Sequence, residues 1–402
     1  MLDSPIRHIN AHDNCAEIPL CGDGKVSWIS HAVLLAVIAC TGCLDKKSQP
    51  QQESGNPQNG VQVAPPPIQN KKIDPKKLAS PKTTELKKEK KQRTEARIHW
   101  EKLLPEQQEE LIAATRAYVL KHKATVADVL EKELKNGARF VLIGEHHWKE
   151  LEGQRRSVAS SLTQLKEAGL THVGIEADRG LQDALDTLSL DVLDSEQEVE
   201  QCLKLPSWEK GLAAIVVEAK KLGLRVLCID DYAELHEHNK RWAGYGRSEN
   251  PDGTSSLANF PDAYWNGLAH IEYRRNQDMC TYVEHHVAAT GKILIYIGQA
   301  HVDKIPMAIN IGIPALSLGS GLSKKYGNEA VISVRDILGR EFHFDGRCDF
   351  SHAAPVQKVL TTDELHEVFL LPDTGPVRGP AGSTQTDYLI VGGYPESPFD
   401  NK

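Results

Sequence analysis

Apolar positions change their spacing along this chain, and each change predicts a different element. Between residues 98 and 120 they recur at helical spacing, with Leu104, Leu111, Ile112 and Val119 among them, and 125–136 read as a second helix. Beyond that, short runs that are apolar at almost every position, 139–143, 172–176, 225–229 and 293–297, predict strands. Longer stretches between them, 153–168, 209–222 and 263–289, predict helices. Strands alternating with helices imply βαβ units. Strands that are apolar on both sides imply a sheet covered on both faces. The expected fold is therefore α/β: a mainly parallel sheet covered by helices on both faces, in a single large domain of catalytic type. Residues 330–334 and 387–391 are expected to add edge strands, and 371–386 to form a loop.

The N-terminal pattern is different. One apolar run, Ala32 to Cys40, comes after Lys25 and ends in small residues. It is too short to span a bilayer, which needs about 20 apolar residues, and has the length of a signal-peptide core. Val37-Ile38-Ala39-Cys40 resembles a bacterial lipobox, whose cysteine is lipidated and becomes the new N-terminus, and Thr41-Gly42-Cys43 is a second, poorer match. The polar leader from Met1 to Gly24 is long for such a signal. The next segment is rich in Gln, Asn, Pro, Ser and Lys, with too few large apolar residues to offset the entropy of ordering. The chain thus divides into three parts: a lipoprotein leader over 1–43, a disordered tether over 44–97, and the α/β domain over 98–402. A lipid anchor at Cys40 or Cys43 would hold the protein on a bacterial membrane, facing an extracytoplasmic space, with the outer membrane the expected one.

Charge changes the picture in one place. The formal net charge is −8, yet residues 71–97 hold 11 Lys+Arg against 4 Asp+Glu, a net of +7, which leaves −15 for the rest. No aromatic residue is interleaved in that basic run, so a solvated tether is favoured and no nucleic-acid partner is expected. The eight cysteines show no paired zinc spacing. Cys228, in LRVLCID, reads as a small buried hydrophobe. A disulfide among Cys202, Cys228, Cys280 and Cys348 stays open for an oxidising compartment.

Candidate chemistry sits at the strand ends, where ligands bind in parallel sheets. After 139–143 come Gly144, Glu145, His146 and His147. After the second strand come Glu176 and Asp178, after the third Asp230 and Asp231, and after the fourth Gly298, Gln299, Ala300 and His301. One acid or histidine after a strand is usually a cap or loop residue. Four such ends on one face favour a site. Gly144–His147 and Gly298–His301 share the spacing GxxH, in which the glycine is expected to supply a φ closed to other residues. With Glu145 or Glu176, the histidines make a mixed N/O donor set suited to zinc, manganese, cobalt or iron. Arg275 is expected on the long helix, on a face shared with Glu272 and Met279, free to hold a substrate carboxylate or a developing oxyanion, or else ion-paired with Glu176 or Asp230. His146 is expected to point elsewhere, His236, His238, His285 and His286 are discounted, and Asp303 either orients His301 or caps a helix.

The stretches ARFVLIGEHH, HVGIEA, YRRNQDM and ILIYIGQAHV, in that order, resemble the superfamily that groups Tiki proteases, TraB proteins, erythromycin esterases and ChaN haem-binding lipoproteins. Its pattern is two GxxH motifs, a pair of glutamates and an arginine. The resemblance covers about residues 138–318 and implies Gly144, Glu145 and His147 for the first motif, then Glu176, Arg275, Gly298 and His301. The further histidine that ChaN proteins usually carry after the first motif is absent from WKELEGQRRSVASSL.

Two functions are expected. The first is a membrane-tethered hydrolase cutting an amide or ester bond in a small-molecule or peptide substrate. His147, Glu176 and His301 would hold a divalent transition metal (zinc, manganese or cobalt) that activates water, with Glu145 as general base and Arg275 on the oxyanion. A metal-free variant would use His147 or Glu145 alone. The alternative, implied by the ChaN resemblance, is a haem-binding lipoprotein in iron or haem uptake, for which Tyr232, Tyr273 and Tyr296 are available as axial ligands.

Overall fold

The computed structural model describes residues 103–146, 151–189, 196–205, 209, 211–242, 262–305, 307–309, 313–337, 341–344, 353–373, 377–378 and 386–394. The leader over 1–43, the tether over 44–97 and His147 lie outside the described residues. Helix α1 (Pro105–His122) opens on a proline, whose missing N–H has no helical partner to lose. Helix α2 (Val126–Lys135) is capped by Thr125, whose hydroxyl accepts from the Asp128 N–H at 3.0 Å. Then come β1 (Phe140–Glu145), α3 (Glu152–Glu167), β2 (His172–Asp178), α4 (Gln182–Thr187), α5 (Glu196–Leu203), α6 (Leu212–Lys221), β3 (Arg225–Asp230) and α7 (Ala233–Trp242). The long α8 (Asp262–His286) leads into β4 (Ile293–Gly298), and β5 (Met307–Ile309) and β6 (Ile313–Ala315) form a short hairpin. Helix α9 (Leu318–Tyr326) precedes β7 (Val331–Asp336), β8 (Glu341–Phe344) and β9 (Ala353–Pro355). Two short helices, α10 (Val356–Val359) and α11 (Thr362–His366), then lead to β10 (Phe369–Pro372), β11 (Val377–Arg378) and β12 (Tyr388–Val391).

Seven strands make the main sheet in the order β10-β12-β7-β1-β4-β2-β3. The six from β12 to β3 run parallel, and β10 pairs antiparallel with β12 at the edge. The α/β expectation therefore holds. Alternation along β1 explains the two covered faces. Val141 and Ile143 pack with Leu130 of α2, Leu162 of α3 and Val216 of α6. Phe140 and Leu142 pack with Met279 and Val283 of α8 and Leu322 of α9. Each such fully buried side chain contributes roughly 1.5–3 kcal/mol. A further apolar cluster lies around β10 and β12, where Val119 of α1 meets Phe342, Phe369 and Leu389.

The expected strands at 330–334 and 387–391 exist, but neither is an edge. β7 pairs with β1 and with β12, and β12 lies between β7 and β10. The edge on that side is β10, which extends into the stretch read as a loop. Its Pro372 is tolerated because an edge strand can spare one N–H. Cys228 is fully buried as expected, and burial pushes its thiol pKa up to about 12. Cys202, Cys228 and Cys280 are free thiols, while Cys348 lies outside the described residues. Among the described residues, no helix is long and apolar enough to cross a membrane.

Candidate active site

Parallel strands carry their C-terminal ends to one edge of the sheet, so β1, β2, β3 and β4 deliver Glu145, Glu176, Asp230 and Gly298 there together. β1 and β4 are neighbours in register, with Gly144 opposite Ile297 and Glu145 opposite Gly298. The two glycine–histidine turns thus leave adjacent strands at the same level. A Cβ on Gly144 would stand 2.7 Å from Val302 Cγ2 and 2.9 Å from Gln299 Cα. The turn after β4 therefore rests directly on the first glycine. The expectation of an unusual φ is not met. Gly144 is not among the glycines with positive φ, and Gly298 has φ −57°. Gly144 is required for close approach instead. Gly144→Val is expected to lower stability by about 1–3 kcal/mol, as overpacking does. A lower urea midpoint with an unchanged slope would report it, and an unchanged midpoint would contradict the contact.

β2 shifts register between Ile175 and Asp178, so Glu176 and Ala177 have no register partner on β3 or β4. This bulge turns the Glu176 carboxylate toward α8. Its Oε1 accepts from Arg275 Nη2 at 2.6 Å, and its Oε2 accepts from the Gly298 N–H. Arg275 is held by two further carboxylates. Its Nε donates to Asp230 Oδ1 at 2.8 Å and its Nη2 to Asp230 Oδ2, while its Nη1 lies 3.3 Å from both oxygens of Glu272. All these side chains are buried, at 8% exposure for Arg275 and 0% for Asp230. The Tyr232 ring covers the guanidinium, 5.0 Å from its carbon, and the Tyr232 hydroxyl donates to the Glu176 carbonyl at 3.1 Å. Burial alone would lower the Arg275 pKa, but Asp230 and then Glu272 outweigh it and hold the group well above its ordinary value. The guanidinium is thus committed to protein carboxylates: both expected ion pairs form, with Glu176 and with Asp230. Its role here is to gather three acids rather than to face a substrate.

His301, in a 3-10 turn (Gln299–His301) after β4, is 5% exposed. Its Nδ1 lies 2.7 Å from Asn276 Oδ1. The same oxygen accepts from the Leu318 N–H at 3.0 Å, and the Asn276 amide nitrogen donates to the Glu272 carbonyl at 2.8 Å. Those two bonds fix which end of the amide faces the ring. An oxygen facing Nδ1 requires Nδ1 to carry hydrogen, which leaves Nε2 with the lone pair when the ring is neutral. Nε2 lies 3.6 Å from Glu176 Oε1. That is beyond a hydrogen bond. Asn276 was not anticipated from the sequence. Asp303 neither orients His301 nor caps a helix. It is fully buried, neither carboxyl oxygen has a hydrogen-bond partner among the described residues, and burial pushes its pKa up against the opposing charge of Arg335.

Glu145 goes to a different partner. It is 2% exposed, and its Oε2 accepts from Nε of the fully buried Arg155 on α3 at 2.7 Å. Burial on its own would lower the Arg155 pKa, and Glu145 reverses that. Burial, then the Glu145 charge, hold the neighbouring Tyr296 phenol well above its ordinary range. His146 does not point away but joins the second turn. Assigned from its neighbours, the Gln299 amide accepts from Arg335 Nη2 through its oxygen at 2.7 Å and donates from its nitrogen to His146 Nε2 at 2.5 Å. The two GxxH turns are thereby tied to each other.

Among the described residues, no group of three His, Cys, Asp or Glu side chains could hold a metal ion. Glu176 and His301 of the expected ligand set do come together. Both Glu176 oxygens already accept protein hydrogen bonds, however, and His147 lies outside the described residues. The described donors therefore fit an acid–base pair and do not make up a metal site. Of the tyrosines considered for haem, Tyr232 is engaged with Glu176 and Arg275, Tyr296 is buried beside Glu145, and Tyr273 is exposed.

No family model and no curated protein matches this chain. Solved structures do match. One is a succinoglycan biosynthesis protein, 12% identical at a TM-score of 0.44, covering 70% of this chain and 96% of that one. Another is an erythromycin esterase mutant in its open conformation, 15% identical at a TM-score of 0.39, covering 65% of this chain and 91% of that one. A third is ChaN of Campylobacter jejuni with cofacially bound haem, 14% identical at a TM-score of 0.37, covering 67% of this chain and 92% of that one.

Proposed function

We propose that this protein is a hydrolase of amide or ester bonds, tethered to a bacterial membrane, in which His301 and Glu176 act as the acid–base pair. The observation that carries this reading is the fixed ring of His301, with Nδ1–H given to Asn276 and Nε2 turned toward Glu176. Neutral Nε2 would take a proton from the attacking water as its oxygen bonds to the scissile carbonyl carbon. The imidazolium so formed would lie beside the Glu176 carboxylate, and its proton would then pass to the leaving nitrogen or oxygen. Arg275 would hold Glu176 in place. Glu145, first expected as the base, would brace the end of β1 through Arg155. The tether reading rests on the apolar run ending at Cys40 and the polar stretch after it.

The test expresses the full chain beside a Cys40→Ala/Cys43→Ala variant and assays both against a panel of nitrophenyl esters and aminocoumarin amides, with elemental analysis of the same preparation. Turnover of at least one class, with the chain in the membrane fraction and the double variant released from it, supports the reading. No turnover of any substrate, together with a Soret band on adding haem, would replace it with the haem carrier.

A further inference from the structure

Glu176 reaches His301 and Arg275 because β2 bulges, and a bulge is a weak point in a ladder. It leaves backbone groups without strand partners, and these need other bonds to stay fixed. Here Glu176 and Ala177 have no register partner on either neighbouring strand. The Glu176 carbonyl accepts instead from the Tyr232 hydroxyl at 3.1 Å. Tyr232 comes from a different element, the link between β3 and α7, and its ring lies over the Arg275 guanidinium at 5.0 Å. One side chain thus touches both the backbone of the acid and the face of the cation paired with it. It also belongs to an apolar group that holds α7 against α8, together with Leu235, Tyr264 and Leu268. Its position is therefore set by packing as well as by the polar site.

We propose that Tyr232 is a positioning residue of the site: its hydroxyl pins the β2 bulge so that the Glu176 carboxylate stays between Arg275, the Gly298 N–H and His301. It acts through Glu176 and need not touch a substrate. This inference rests on the hydrolase reading only for its kinetic consequence. The geometric part stands alone, because Gly298 gives its N–H to Glu176 Oε2. Loosening the bulge frees that amide.

The test compares the wild-type full chain with Tyr232→Phe, which keeps the ring on Arg275 and loses the hydroxyl, and with Tyr232→Leu, which loses both. Hydrogen exchange is measured on the peptide containing Gly298. Tyr232→Phe is expected to speed exchange at Gly298 with the melting temperature nearly unchanged, and Tyr232→Leu to speed it further. In the kinetic arm, Tyr232→Phe should lower kcat roughly 3- to 10-fold, the worth of one hydrogen bond, with KM unchanged. In a Glu176→Gln background it should then cost nothing more. Unchanged exchange at Gly298 would overturn the proposal, as would a kcat loss that multiplies with that of Glu176→Gln. If the wild type turns over no ester or amide, the hydrolase reading fails and exchange at Gly298 still decides the role of Tyr232.

Discussion

Arg275→Leu is expected to destabilise the protein by about 3–5 kcal/mol, as removing one member of a buried ion cluster does. The guanidinium is 8% exposed, and it is the shared partner of Glu176, Asp230 and Glu272. Without it three buried carboxylates crowd one strand edge with no cation among them. Urea unfolding at pH 8 measures this. A variant within about 1 kcal/mol of wild type at pH 8 would mean that the cage is not closed as described, since that is the scale of an exposed pair.

The second large effect is on catalysis. His301→Gln is expected to lower kcat by roughly 10²–10⁴-fold, the usual worth of a positioned acid–base group. Stability should change little, because glutamine can still donate to Asn276 Oδ1. Asn276→Leu should also lower kcat, through the tautomer: with no acceptor at Nδ1, the ring is no longer obliged to present a bare Nε2 to Glu176. Rates with the best ester or amide found for the wild type check both. Full activity in Asn276→Leu would show that the ring does not depend on that amide.

The sheet and the strand-end placement of the site were legible in the sequence, because doubly covered parallel strands are apolar at every position and leave polar residues only at their ends. Glu176, Asp230, Gly298 and His301 stand out because each closes or directly succeeds one of those apolar runs. β10 does not, since FLLP is short and an antiparallel edge strand obeys no βαβ rhythm. Asn276, and the contact of Tyr232 with Glu176 (the sequence suggests Tyr232 only as a haem ligand), escaped for another reason. Each acts through a bond whose partner lies on a distant element, and only the rotation of α8 and the bulge in β2 bring them into reach. Arg155, in QRRSVASSL, carries no sequence signal of its partner, yet it is fully buried because Glu145 points to the α3 side of β1. Periodicity assigns residues to faces. It does not pair one polar side chain with another across the fold.

The most direct measurement is a double-mutant cycle on kcat/KM with Glu176→Gln, His301→Gln and the pair, using one ester or amide substrate. If the two residues work as a unit, the pair should cost scarcely more than His301→Gln alone. Losses that multiply, or a His301→Gln enzyme at the wild-type rate, would contradict the account.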